Sequence, residues 1–136
     1  MDYQGTIEED EEITSLLTRV FVEEGYTDKS NAERMFVPAE VRNRGEIMLT
    51  RSPAEKKLLG MIIFVPSSSP ACQVAEADEA EIHLLAVCPE ARGQGIASHL
   101  NMACEQRAVS SGYSRMVLPT QQMMKGAHCV YEKLGY

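Results

Sequence analysis

The chain has 136 residues, of which 44% are hydrophobic and 24% are charged, as is typical of one folded domain. Its formal net charge of -7 argues against general nucleic-acid binding, and no apolar run approaches the roughly 20 residues that a membrane helix needs. The acidic N-terminus lacks the basic start and apolar segment of a secretory signal. We therefore predict a single cytoplasmic domain, residues 1–136, that binds neither nucleic acid nor a membrane.

The cysteines predict neither disulfides nor a metal site. They lie far apart, contain no C-x-x-C pair, and form no zinc-type spacing with the three histidines. We expect reduced thiols, with Cys104 and Cys129 acting as small apolar residues on helices. The four are Cys72, Cys88, Cys104 and Cys129.

The N-terminal part predicts a short strand and then an amphipathic helix. Residues 3–7 resemble an edge strand, and the acidic residues that follow suit the start of a helix. Gly25 is expected to end this helix. Beyond it, Asp28 or Ser30 predicts the cap of a short helix that Pro38 interrupts. The apolar face of the first helix comprises Ile13, Leu16, Leu17, Val20 and Phe21.

A β-hairpin is predicted in the middle of the chain. Residues 46–51 and 58–65 have the composition of strands, and the Ser-Pro-Ala-Glu sequence at 52–55 predicts the turn between them. Because 61–65 is apolar on both faces, we expect a central strand that is covered on both sides. Residues 66–78 are rich in serine, proline and acidic residues and predict a long loop, which either covers a site or only links two strands.

The stretch from 82 to 97 is the most informative about function. Residues 82–87 predict a strand that Pro89 ends. Gly93 and Gly95 then allow backbone N–H groups to approach a ligand closely at the start of the next helix. The helix dipole and the charge of Arg92 both favour an anion, so the expected ligand is a phosphate or pyrophosphate.

The remaining sequence predicts a helix, a strand and a last helix. The helix that follows the glycine turn ends at Gly112, and a strand over 114–118 comes next. The apolar face of this helix carries Ile96, Ala97, Leu100, Ala103, Cys104 and Ala108. Its polar face is expected to carry Ser98, Asn101 and Glu105. The last helix is striped by Ala127, Val130, Tyr131 and Leu134.

Two blocks of this sequence resemble the GNAT N-acetyltransferase superfamily. The pattern Arg92-x-x-Gly95-x-Ala97, after a strand ending in Leu-Ala-Val, is similar to its acetyl-CoA signature, and AHCVYEKLGY at 127–136 is similar to its C-terminal block. The resemblance implies an α/β (α+β) fold in which helices flank a central, mostly antiparallel mixed sheet. Since family members continue into further strands, we expect either a truncation after Tyr136 or a partner, such as a second copy, that supplies a strand.

The resemblance also implies acetyl-CoA as the cosubstrate. The pantetheine arm is expected to pair with the backbone of one strand, at Leu85, Ala86 and Val87. The pyrophosphate is expected on the N–H groups of the turn and helix start, which are Arg92, Gly93, Gln94, Gly95, Ile96 and Ala97.

Acetyl transfer to an amine requires a base, because an alkyl ammonium has a pKa near ~10.4. Glu81 and His83 lie two residues apart on a strand, and hence on one face, at positions where family members carry their general base. We favour Glu81 and keep His83 as the alternative. Tyr131 matches the family tyrosine that protonates the CoA thiolate, whereas Met124 replaces an asparagine that touches the cofactor in many members.

The leading hypothesis is direct attack by a primary amine, from a small molecule or a peptide, on acetyl-CoA in a ternary complex. An acetyl-enzyme on Cys88 is disfavoured, as is a Rossmann-type dinucleotide domain, because the third glycine of that motif is absent. The alternative is a CoA-binding regulatory module that has lost turnover. Met124 and the absent end strands favour this module, and the pair of Glu81 and Tyr131 favours the enzyme.

Overall fold

The computed structural model describes residues 7–23, 36–72 and 75–117. In chain order the elements are α1 (Ile7–Glu23), α2 (Pro38–Arg44), β1 (Glu46–Arg51), β2 (Leu58–Val65), β3 (Glu79–Val87), a 3₁₀ helix (Pro89–Ala91), α3 (Ile96–Ser110) and β4 (Arg115–Val117). None of the described helices is both long enough and apolar enough to cross a membrane.

Within the described residues, four strands form one sheet in the order β1-β2-β3-β4. Antiparallel pairs join β1 to β2 and β2 to β3, whereas β4 runs parallel to β3. The predicted hairpin is confirmed, with both strands at the predicted bounds and the turn closed by a hydrogen bond from Ser52 N to Lys57 O at 2.9 Å. The strand predicted over 82–87 begins earlier, at Glu79.

The sheet is covered by helices on both faces. Gly60 and Phe64 of β2 lie under α3, since a Cβ at Gly60 would lie 3.0 Å from the Ile96 side chain and the Arg107 guanidinium stacks 5.9 Å from the Phe64 ring centroid. The alternate residues of β2 are equally buried on the opposite face, where α1 packs against β2 and β3. This confirms that 61–65 is a central strand with two buried faces.

The stripe predicted for α1 is confirmed, because all five of its apolar residues are buried. The edge strand predicted over 3–7 fails at its last residue, since Ile7 already belongs to α1; residues 3–6 lie outside the described part of the chain. Gly25, Asp28 and Ser30, and the caps predicted for them, also lie outside it.

The short helix expected before Pro38 lies largely outside the described residues, and Pro38 itself begins a further helix, α2. A proline suits the first helical turn, where its fixed φ is compatible with the helix and its missing N–H needs no partner. After α2, the chain passes so close to β2 that a Cβ on Gly45 would lie 2.1 Å from the Phe64 carbonyl oxygen. Only glycine fits at this junction, which fixes the end of α2 against the sheet.

One residue of α3 differs from its prediction. Asn101, expected on the polar face, is 0% exposed, and its Nδ2 donates to Glu105 Oε1 at 3.0 Å. The buried stripe of α3 is therefore wider than its apolar stripe. Cys104 behaves as predicted, as a small buried residue beside Met48, and burial raises the pKa of its thiol to about 12.

Candidate active site

A β-bulge divides β3 into two halves. His83 pairs with Ile63 and Ala86 pairs with Met61, so that two residues of β3, Leu84 and Leu85, lie opposite one residue of β2. Leu84 has a φ of +50°, a left-handed conformation that costs a branched residue about 1 kcal/mol or more. Such bulges redirect a strand and its side chains, and they concentrate near functional sites.

The second half of β3 has a strand partner on only one edge within the described residues. Within the described residues, which end at Val117, β4 pairs with β3 from Glu79 to Glu81, while β2 continues along the other edge to Val87. Leu85, Ala86 and Val87 therefore lie beyond the described part of the β3–β4 ladder. The pairing of these three residues with a pantetheine arm stays a prediction.

The chain then forms the turn that was predicted to hold an anion. Gly93 and Gly95 have φ values of 84° and 78°, and a Cβ at either position would meet nothing within 4 Å. Gly95 is the N-cap of the 15-residue α3 and supplies no side-chain hydrogen bond to it. The six residues predicted to hold the pyrophosphate, 92–97, thus surround a helix start whose first N–H groups lack a side-chain cap and whose approach is open.

An ion pair attaches the 3₁₀ helix just before this turn to α1. Arg19 Nη1 donates to Glu90 Oε2 at 3.0 Å and to the Cys88 sulfur at 3.4 Å, and Nη2 donates to the second oxygen of Glu90. Hydrogen bonds from Arg19 and then from Cys88 lower the pKa of Glu90 to about 2. Cys88 is 3% exposed. Sequence reasoning missed Arg19, since 71 residues separate it from Glu90.

Two cavities meet at Cys88. The larger, of about 490 Å³, lies between the N-terminal half of α1 and the start of β2, and three glutamates of α1 line it. The smaller, of about 290 Å³, lies between the 52–57 hairpin turn and the glycine turn at 92–95, here called the phosphate turn. Gln94 and Glu90 face it. The smaller cavity gives a ligand on the phosphate turn additional room on the side of the hairpin.

The first half of β3 carries a buried polar cluster. Glu81 and His83 pair with Val65 and Ile63, so they share one face as predicted, and both are 0% exposed. His83 Nε2 lies 3.2 Å from Glu81 Oε1, and His83 Nδ1 lies 3.0 Å from Nη1 of Arg44 at the end of α2. Burial lowers the pKa of His83, and the charge of Arg44 lowers it further against the opposing effect of Glu81. His83 is therefore neutral at pH 7.

The loop after β2 lies against this cluster. Ser69 Oγ donates to the Arg44 carbonyl oxygen at 2.7 Å and accepts from Ala71 N at 3.1 Å. Burial raises the pKa of the Cys72 thiol, and a hydrogen bond to Glu81 raises it further. These contacts place Ser69 beside Arg44 and Cys72 beside Glu81.

Some predicted residues lie outside the described part of the chain. Tyr131 and Met124 belong to residues 118–136, for which the structure describes no placement, as do Cys129 and the last predicted helix. The acid role of Tyr131 stays a prediction. The strand predicted over 114–118 is confirmed over Arg115–Val117; Ser114 precedes it, and Leu118 lies outside the described residues.

Solved acetyltransferase structures share this fold. A GNAT-family acetyltransferase from Staphylococcus aureus MU50 has a TM-score of 0.73 at 12% identity, over 99% of this chain and 81% of that chain. A predicted acetyltransferase from Clostridium acetobutylicum, solved with acetyl-CoA, has a TM-score of 0.72 at 16% identity, over 100% and 88%. A GNAT-family acetyltransferase from Brucella melitensis, in complex with acetyl-CoA, has a TM-score of 0.69 at 17% identity, over 99% and 80%. The predicted fold class is thereby confirmed.

The sequence itself matches a family model over nearly its whole length. No curated protein matches it significantly. The model of the acetyltransferase (GNAT) family matches residues 10–136, which include the described sheet, the phosphate turn and the C-terminal block. The chain therefore belongs to the GNAT acetyltransferase family.

Proposed function

We propose that this protein transfers an acetyl group from acetyl-CoA to a primary amine, by direct attack of the amine in a ternary complex. The observation that carries the proposal is the closeness of the bulged second half of β3, which ends at Val87, to the open turn at the start of α3. The first accommodates an extended pantetheine arm, and the second accommodates a pyrophosphate. The chain's family and two relatives solved with acetyl-CoA support this ligand.

Within the proposed complex, backbone groups bind the cofactor. N–H groups of 92–97 hold the pyrophosphate, and the positive end of the α3 dipole adds to their attraction. Backbone groups of Leu85, Ala86 and Val87 pair with the amides of the pantetheine arm. An N–H in this stretch also donates to the thioester oxygen as negative charge develops on it. These contacts depend on backbone geometry, which the bulge at Leu84 helps to set.

Glu81 is proposed as the general base. The amine loses a proton to the Glu81 carboxylate, directly or through one water, and its nitrogen attacks the thioester carbon. The C–S bond then breaks, and the departing thiolate takes a proton from Tyr131. The hydrogen bond from His83 supports this assignment, because it orients the carboxylate.

One observation favours the alternative of a CoA-binding module without turnover. Glu81 is fully buried, bonded to His83, and adjacent to Cys72 of the loop. Because Glu81 is 0% exposed, an acceptor amine reaches its carboxylate only if a neighbouring segment, such as the loop that carries Cys72, moves. If the loop never moves, the cofactor binds and no transfer follows.

The test measures release of the CoA thiol from acetyl-CoA with a panel of peptides, polyamines and aminoglycosides, for the wild-type chain and Glu81→Gln. At least one amine should support turnover, and Glu81→Gln should lower kcat about 100-fold. The matched control is Glu79→Gln, because Glu79 is a half-buried glutamate two residues earlier on the same strand; it should retain wild-type activity.

The same variants separate the two functions. Calorimetry should give all three proteins the same affinity for acetyl-CoA, because Glu81 does not contact the pyrophosphate in the proposed complex. Binding without turnover for any amine would support the module instead. Equal kcat values for the wild type and Glu81→Gln would exclude Glu81 as the base.

A further inference from the structure

We propose that Arg44 is a positioning residue, which fixes His83 as the tautomer protonated on Nε2 so that the ring holds the Glu81 carboxylate in place. The catalytic consequence of this inference rests on the proposed function, whereas the tautomer itself does not. The observation is a chain of three side chains from α2 to β3, joined by contacts of 3.0 Å and 3.2 Å.

The direction of each hydrogen bond follows from the chemistry of the three groups. A guanidinium carries only donors, so Arg44 Nη1 must donate and His83 Nδ1 must accept. A neutral imidazole with an accepting Nδ1 carries its proton on Nε2. That N–H then donates to Glu81 Oε1. The donor and acceptor chemistry of these contacts thus determines which ring nitrogen of His83 carries the proton.

The charged groups around His83 make this arrangement consistent. A protonated ring would bring an Nδ1–H against the N–H of Arg44, which would cost a hydrogen bond and add a repulsion between two cations. Burial lowers the pKa of Arg44 and Glu40 opposes this, but a guanidinium stays protonated at neutral pH. Cys72, the titratable group that the loop brings to Glu81, has a raised pKa and is a neutral thiol.

This assignment separates the two base candidates on β3. Both ring nitrogens of His83 are engaged, one with Arg44 and one with Glu81, so the ring offers no lone pair to an incoming amine. Glu81 therefore acts as the base, and His83 acts through it. The sequence alone leaves this choice open, because both residues share one strand face.

The backbone of Arg44 is held as firmly as its side chain. Its carbonyl oxygen accepts from Ser69 Oγ at 2.7 Å, and the next residue, Gly45, passes against the Phe64 carbonyl oxygen. The position of Arg44 at the C-terminal end of α2 also suits a cation, because the helix dipole is negative there. Arg44 thereby connects α2, the loop after β2 and the proposed base.

The tautomer is tested by nitrogen NMR of the ¹⁵N-labelled chain, with His83→Gln to assign the ring signals. The wild type should show a protonated Nε2 and an unprotonated Nδ1 for His83, unchanged between about pH 7 and 8. Arg44→Met retains the aliphatic stem and removes the donors, so the ring should populate both tautomers. A protonated Nδ1 in the wild type, or an unchanged ring in Arg44→Met, would overturn the proposal.

The matched control is Arg42→Met, which removes an arginine two residues earlier on α2 that pairs with Asp10. It should leave the His83 signals as they are in the wild type. Arg44→Lys keeps one donor and should restore part of the wild-type tautomer population, which retains a test if Arg44→Met folds poorly. Wild-type signals in Arg44→Met and Arg44→Lys alike would show that Arg44 does not fix the ring.

The kinetic consequence is that the loss of Arg44 should lower kcat and leave the cofactor affinity unchanged. Arg44→Met should lower kcat roughly 10-fold to 100-fold, because Glu81 loses its orientation, and should leave the Kd for acetyl-CoA unchanged. An unchanged kcat with an altered tautomer would overturn the positioning role. If the wild type transfers no acetyl group, the proposed function fails, and the NMR result still decides the tautomer.

Discussion

The two ends of β3 differ in their exposure to solvent. At its start, Glu81 and His83 are fully buried and bonded to one another, with Arg44 completing the cluster. Just after its end, the turn at 92–95 is exposed, and its glycines leave open space. Proton transfer depends on charged side chains whose geometry is fixed by burial. Binding a phosphate through backbone N–H groups needs an accessible helix start and no titratable side chain.

The largest expected difference between the two ends is in their tolerance of a methyl group. Gly45→Ala places a Cβ 2.1 Å from a backbone oxygen at the buried end and should lower the free energy of unfolding by roughly 3 kcal/mol or more. Gly93→Ala meets no atom and should cost only about 1 kcal/mol, for its left-handed φ. Urea unfolding measures both, and equal losses would remove the contrast between the buried and exposed ends.

A pH titration of stability examines the buried end alone. Because burial lowers the pKa of His83 in the folded chain, the unfolded chain binds a proton first as the pH falls below about 6.5. The free energy of unfolding should therefore decrease below that pH and level off once the folded chain also binds the proton. His83→Gln should remove this contribution.

The control for that titration is His99→Gln, which replaces an exposed histidine of α3 and should leave the decrease in place. Urea unfolding at pH 5, 6, 7 and 8 compares the three proteins. A decrease that is the same in the wild type and in His83→Gln would show that His83 is not the group responsible.

The smallest expected effect concerns the attachment of the turn to α1. Arg19→Met removes an ion pair whose two side chains are both largely exposed, so it should weaken acetyl-CoA binding by roughly threefold or less. The matched control, Arg107→Met, removes a similarly exposed pair with Glu46 far along α3 from the turn and should leave binding unchanged. Calorimetry compares the two variants. A loss of more than tenfold in Arg19→Met alone would show that the turn depends on α1 for its shape.

The sequence predicts the local features of this molecule well. Both strands of the hairpin have their predicted bounds, because an apolar run changes abruptly to a Ser-Pro turn. The phosphate turn is also recognisable, since Gly93 and Gly95 adopt the left-handed φ that glycine permits. In each case neighbouring residues contain the whole signal.

Features that depend on distant contacts are not predictable in this way. Arg44 and His83 are 39 residues apart, and an arginine at the end of a short helix resembles any solvated one. Leu84 adopts a φ of +50° because the β2 register requires it, although leucine itself disfavours that conformation. Asn101 is polar and yet buried, because the packing around α3 extends beyond its apolar stripe.

The most direct test of the account is the affinity for acetyl-CoA of the wild type, Gly95→Glu and Gly112→Glu, measured by calorimetry. Both glycines have a left-handed φ and open space around them, so the two substitutions carry the same strain and add the same charge. Only Gly95 lies at the start of α3. We expect the wild type and Gly112→Glu to bind alike and Gly95→Glu to bind about 100-fold more weakly. Failure of the folded wild-type chain to bind, or equal affinities for the two variants, would contradict the account.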